Sequence, residues 1–95
     1  MKLDSQLVDA CRIQFPALLR RQNDQSVIYF DGPAGTQVPQ CVADAMSHYL
    51  LHCNANHGGH FTTSIESDEL LHKCHQAHAE FVGATDGSEV SFGQN

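Results

Sequence analysis

The chain has 95 residues, enough for one small domain at most, and a chain of that size buries only ~60–65% of its unfolded surface. Five Lys and Arg face eleven Asp and Glu, a net charge of −6, and only Arg20 and Arg21 are adjacent, so no basic patch is available for nucleic acid or an anionic membrane. No apolar run approaches the ~18 residues of a spanning helix, and Met1-Lys2-Leu3-Asp4 opens on charge rather than on a secretory core; the expected location is cytoplasmic.

In chain order, Leu7, Val8, Cys11 and Phe15 recur at helical spacing behind Asp4 or Ser5 as a cap, which predicts a short amphipathic helix. Pro16 opens a second helical turn to Arg21, and Gln22–Ser26 reads as a polar turn. These helices make residues 1–26 an N-terminal lead-in, and 27–95 reads as the start of a domain. Val27–Phe30 is β-branched and aromatic, the composition of a buried strand. Asp31-Gly-Pro-Ala-Gly-Thr36 is a loop, followed by a helix over 39–51 with Val42, Ala45, Met46, Tyr49 and Leu50 on its apolar face.

Residues 53–63, polar and hinged on Gly58-Gly59, read as a long loop. A third helix is expected from Ser64 or Ser67 to Val82. Those serines are its capping candidates, Gly83 its stop, and Leu70, Leu71, Cys74, Ala77, Phe81 and Val82 its inner stripe. Glu89–Phe92 begins a second strand. The expectation is that the chain stops inside an α/β unit, where the next helix would start.

Four widely spaced cysteines without a CxxC pair read as free thiols, with Cys11 and Cys74 on apolar stripes. Seven histidines invite a metal reading: Cys53, His57 and His60 in the loop, and His72, Cys74, His75 and His78 on the helix. A helix with polar histidines on its flanks is the plainer alternative, and a free-standing metal-binding module is the competing function. The 31–36 loop matches no phosphate-loop motif, so a connecting loop and an anion-binding loop both stand.

The ordered set "IYFDGPAGTQVPQCVADAMSHYLLHCNAN", "HGGHFTTS", "AEFVGA" and "EVSFGQN" resembles the N-terminal quarter of class V aminotransferase-fold proteins, above all the cysteine desulfurases and a desulfurase-like subgroup. The resemblance spans about residues 15–95. It implies an α/β architecture, the N-terminal fragment of the pyridoxal-phosphate-dependent transferase (aspartate aminotransferase-like) fold, with three to four helices and two short strands. It also implies a homodimeric parent enzyme using pyridoxal 5'-phosphate on an amino-acid substrate.

By that likeness Ala34, Gly35, Thr36, Asn56 and His57 border the substrate entrance, and none of them has a covalent role. The family's Asn-Ala-Ala-Thr is here Gly32-Pro33-Ala34-Gly35 followed by Thr36, and its His-Arg-Gly is His57-Gly58-Gly59, departures that favour the desulfurase-like subgroup. The family's cofactor lysine lies farther along. The two lysines here are Lys2 and Lys73, and Lys73 falls in mid-helix, so no catalytic residue and no bound cofactor are expected in this stretch.

Overall fold

Asp4 begins the first helix as the spacing predicts, its carboxylate accepting the Gln6 N–H at 3.1 Å. The computed structural model describes residues 4–94, which gather into two units divided between His48 and Tyr49. In the first unit, α1 (Ser5–Arg12) carries Leu7, Val8 and Cys11 toward one side, but it buries no residue. Cys11, expected in an apolar stripe away from water, is exposed. Pro16 starts a 3-10 turn, Pro16–Leu19, rather than a full helix.

The polar turn is a two-residue hairpin. β1 (Arg21–Gln22) pairs antiparallel with β2 (Gln25–Ser26), Arg21 opposite Ser26 and Gln22 opposite Gln25. Asn23 and Asp24 sit at φ 51° and 60°, the left-handed pair that a right-twisting hairpin demands and that Asn and Asp tolerate best.

The strand expected at Val27–Phe30 does not form. Val27 N–H donates to the Arg20 carbonyl and the Tyr29 hydroxyl to the Ala17 carbonyl, both at 3.1 Å, while Ile28 is 75% and Phe30 95% exposed. A strand is a pairing rather than a composition, and among the described residues the sheet pairing ends with Arg21 opposite Ser26, leaving Val27 bonded to Arg20 and no ladder beyond it. A 3-10 turn at Gly32–Ala34 leads on to α2 (Gln40–His48), whose first N–H donates to the Gln14 carbonyl at 2.9 Å. The helix expected over 39–51 is α-helical only to His48.

In the second unit, Tyr49–Cys53 forms a π-helical turn and α3 spans Thr62–Val82. α3 starts ahead of the expected caps: Phe61 precedes it without a side-chain bond, and Ser64 and Ser67 are buried inside it. It ends as predicted on Gly83, left-handed at φ 74°, whose N–H reaches the carbonyls of Ala79 and Glu80.

The strand expected at Glu89–Phe92 is also absent. Glu89 closes a 3-10 turn (Gly87–Glu89) held by a reciprocal cap: Ser88 N–H donates to Asp86 Oδ1 at 2.7 Å and Asp86 N–H to Glu89 Oε1 at 3.1 Å. Gly87 is buried against α3, where a β-carbon would come within 3.0 Å of Gln76 Nε2. Phe92 sets its ring edge-on to His75 and His78, at 4.6 and 4.9 Å between centroids.

The expected inner stripe of α3 is largely uncovered: Cys74 is half-buried, but Leu70, Leu71, Phe81 and Val82 are exposed. Among the described residues the buried side chains of α3 are Ser64, Ser67 and Ala79. The accessible surface of 8370 Å² shows the scale of this. A monomer of 10.4 kDa would expose about 5400 Å², and two independent bodies of half that mass about 6500 Å² together. Among the described residues the α/β expectation is met by three α-helices and one short antiparallel hairpin, in a different place from the predicted strands.

Candidate functional site

The expected site residues fall into two groups, one in each unit. In the first unit Gly35 and Thr36 line a cleft of about 500 Å³, with Leu7, Val8, Phe15 and Tyr29 among its apolar walls. Ala34 ends the 3-10 turn beside them, its N–H donating to the Asp31 carbonyl at 2.8 Å. Gly35 sits at φ 158°, a positive value that residues with a side chain rarely adopt, with open space where a β-carbon would stand. The cleft is chiefly apolar, and the Gly32–Ala34 turn is too short to offer an anion site.

In the second unit Asn56 and His57 border a hollow of about 310 Å³ together with Tyr49, Ser67, Leu70 and Cys74. The loop around them is tied to α3 by side chains from the helix's first two turns. Ser64 Oγ, fully buried, accepts the Gly59 N–H at 2.8 Å and donates to the Asn56 carbonyl at 2.6 Å. Both carboxylate oxygens of Asp68 accept the Gly58 N–H, at 3.0 and 3.1 Å, and Oδ1 lies 3.8 Å from His57 Nδ1. The Tyr49 hydroxyl donates to the Ala55 carbonyl at 3.2 Å and lies 3.0 Å from Ser67 Oγ, itself within reach of the Cys53 and Thr63 carbonyls.

The glycine pair has two separate reasons to be glycine. Gly58 takes a left-handed φ of 82°. Gly59 lies so close to α3 that a β-carbon would stand 3.0 Å from Ser64 Oγ and 2.6 Å from the Phe61 ring.

Ser64, Ser67, Asp68 and Tyr49 are the residues the sequence did not assign to the site. A serine near a helix start reads as a cap, so nothing in the sequence distinguishes one that bonds backward to a loop eight residues earlier. The half-buried Cys53 thiol is pushed above its ordinary pKa, first by desolvation and then by the charge of Glu66 and a hydrogen bond to it. It is therefore a poor nucleophile.

The metal reading finds no support. Among the described residues no three His, Cys, Asp or Glu side chains converge to hold an ion. The helical histidines have other contacts: His78 Nδ1 bonds the Cys74 carbonyl at 2.7 Å, and both His75 and His78 meet the Phe92 ring. Nor do the described residues fit a pyridoxal phosphate. Lys73, the one lysine among them, is exposed in the middle of α3 and not enclosed in a site. Lys2 lies outside the described residues. No helix among them is long and apolar enough to cross a membrane.

The comparisons with known proteins agree with the order of these segments. The sequence model of the family described as Aminotransferase class-V matches residues 28–95. The chain is 38% identical over 84 residues to a protein named "Probable cysteine desulfurase" from Vibrio cholerae, an alignment covering 87% of this chain and 21% of that protein. It is 36% identical over 89 residues to a "Probable cysteine desulfurase" from Streptomyces coelicolor, covering 92% and 21% of the two. Against the "Cysteine desulfurase" of Synechococcus elongatus it is 34% identical over 82 residues, covering 85% of this chain and 13% of that one. The chain thus spans between 13% and 21% of the length of these relatives. With the family's model matched over well more than half of its residues, the chain belongs to the class-V aminotransferase family.

Proposed function

We propose that this chain is the N-terminal part of a cytoplasmic, homodimeric, pyridoxal-phosphate-dependent enzyme of the cysteine desulfurase-like kind, acting on an amino acid by C–S cleavage or a related reaction. The reading rests on one observation above others, the 38% identity over 87% of the chain to a protein named as a probable cysteine desulfurase. Within such an enzyme, Ala34, Gly35 and Thr36 from one loop and Asn56 and His57 from the other border the substrate entrance. The cofactor supplies the electron sink for the chemistry when bound. The residues here shape access to it and contribute no covalent step. Large apolar side chains left in water, such as Phe30 at 95% and Phe81 at 89% exposure, fit faces that the rest of an enzyme covers.

The 95-residue chain by itself is expected to be inactive. Incubated with pyridoxal phosphate and cysteine, it should release no sulfide. Borohydride should trap no cofactor on Lys73, which stands exposed in the middle of α3. A reduced adduct mapped to Lys73, with turnover lost in Lys73→Ala, would overturn the proposal.

A further inference from the structure

We infer that Asp68 is a positioning residue that fixes the tautomer of His57, holding the proton on Nδ1 and leaving Nε2 as the ring's proton acceptor. The inference deepens the proposed function by giving His57 a stated chemical form at the substrate entrance.

It starts from the geometry of one carboxylate. Asp68 is anchored because both of its oxygens accept the Gly58 N–H, at 3.0 and 3.1 Å. Its Oδ1 is thereby set 3.8 Å from His57 Nδ1, within ion-pair reach. The loop is fixed a second time, one residue further on, by buried Ser64 on Gly59. A negative charge beside one ring nitrogen favours the proton there, and the bond made by one nitrogen decides what the other can do. With Nδ1 carrying the proton, Nε2 has a lone pair on a side chain that is 73% exposed. Such a nitrogen can accept a proton from a substrate ammonium or thiol, which an imidazole protonated at Nε2 cannot do at that atom.

The test uses the 95-residue chain with 15N-labelled histidine, recorded by long-range proton–nitrogen NMR about two pH units above the ordinary histidine pKa of ~6.5. His57 is expected to be mostly Nδ1-protonated, the reverse of a histidine in water. Asp68→Asn keeps an acceptor for Gly58 but loses the charge, and should return His57 to the Nε2-protonated majority. Asp68→Glu should largely preserve the native form. Ser64→Ala loosens the loop but keeps the charge, and should leave the tautomer in place.

A native spectrum already showing the water-like majority would overturn the inference. So would an equal shift in Ser64→Ala and Asp68→Asn, which would mean that loop order alone sets the ring. Because the readout is a nitrogen shift and not turnover, failure of the desulfurase-like reading would leave this result standing, and the reverse also holds.

Discussion

Replacing Ser64 with alanine removes the one fully buried side chain among the described residues and one of the links between the 54–61 loop and α3. Two hydrogen bonds go at once, Gly59 N–H to Oγ at 2.8 Å and Oγ–H to the Asn56 carbonyl at 2.6 Å. Each is worth about 0.5–1.5 kcal/mol net, and a stranded buried partner would raise the cost. Asn56 is exposed, so its carbonyl regains water, while half-buried Gly59 regains it only in part. The expected loss is therefore about 1–2 kcal/mol, local to the loop, which corresponds to a roughly 5–30-fold faster exchange of the Gly59 amide. Hydrogen exchange followed by NMR reads this directly, with the amides near Ala79 as the internal standard. If Gly59 exchanges at the native rate in the variant, Ser64 does not hold the loop. If Gly59 and Ala79 accelerate together, the loss is global and the local accounting is wrong.

Asp86 gives a pH dependence with a definite sign. Its carboxylate is held below the ordinary range chiefly by the Ser88 N–H, with His72 adding a smaller pull. The folded pKa being depressed, the cap's contribution is fully present above the unfolded value of ~3.9 and is lost as pH falls through the lower folded one. Protection of the Ser88 amide should accordingly collapse only below about pH 4, and a loss beginning near neutrality would refute the assignment. Cys53, with its raised pKa, should alkylate more slowly than exposed Cys11 under native conditions, and Glu66→Gln should narrow the gap. Equal rates in the native chain would contradict this.

The helices were legible because their signals are local. Asp4 caps α1, Pro39 precedes α2 and Gly83 terminates α3, each through chemistry confined to a few neighbouring residues. The hairpin at 21–26 was half-legible: the polar turn was visible, but Asn-Asp is a weaker two-residue signal than Asn-Gly, and the strands flanking it are two polar residues each. The failures at 27–30 and 89–92 share one cause. Both runs have strand composition, yet strand formation needs a neighbour that no local pattern can supply.

The same distinction between local signal and distant partner governs the candidate site. His57 and the glycine pair were visible as a polar loop too costly to order without a purpose, but what orders it is a set of side chains from the next helix. Ser64, Ser67 and Asp68 occupy neighbouring positions on the first turns of α3, at spacings of three, one and four residues. That face is polar where an ordinary core helix would be apolar, and it is the more buried part: Ser64 and Ser67 are at 0% and 2% exposure while Leu70 and Leu71 stand at 44% and 42%. In this chain, then, the order of the loop comes from hydrogen bonds and not from apolar packing. Its geometry is set by distances of 2.6 to 3.1 Å from three backbone groups, Gly58 N–H, Gly59 N–H and the Asn56 carbonyl, to Ser64 and Asp68. Hydrogen bonds are directional where apolar contacts are not. A loop held this way keeps a defined backbone at Gly58 and Gly59 even while the apolar residues of the same helix remain uncovered.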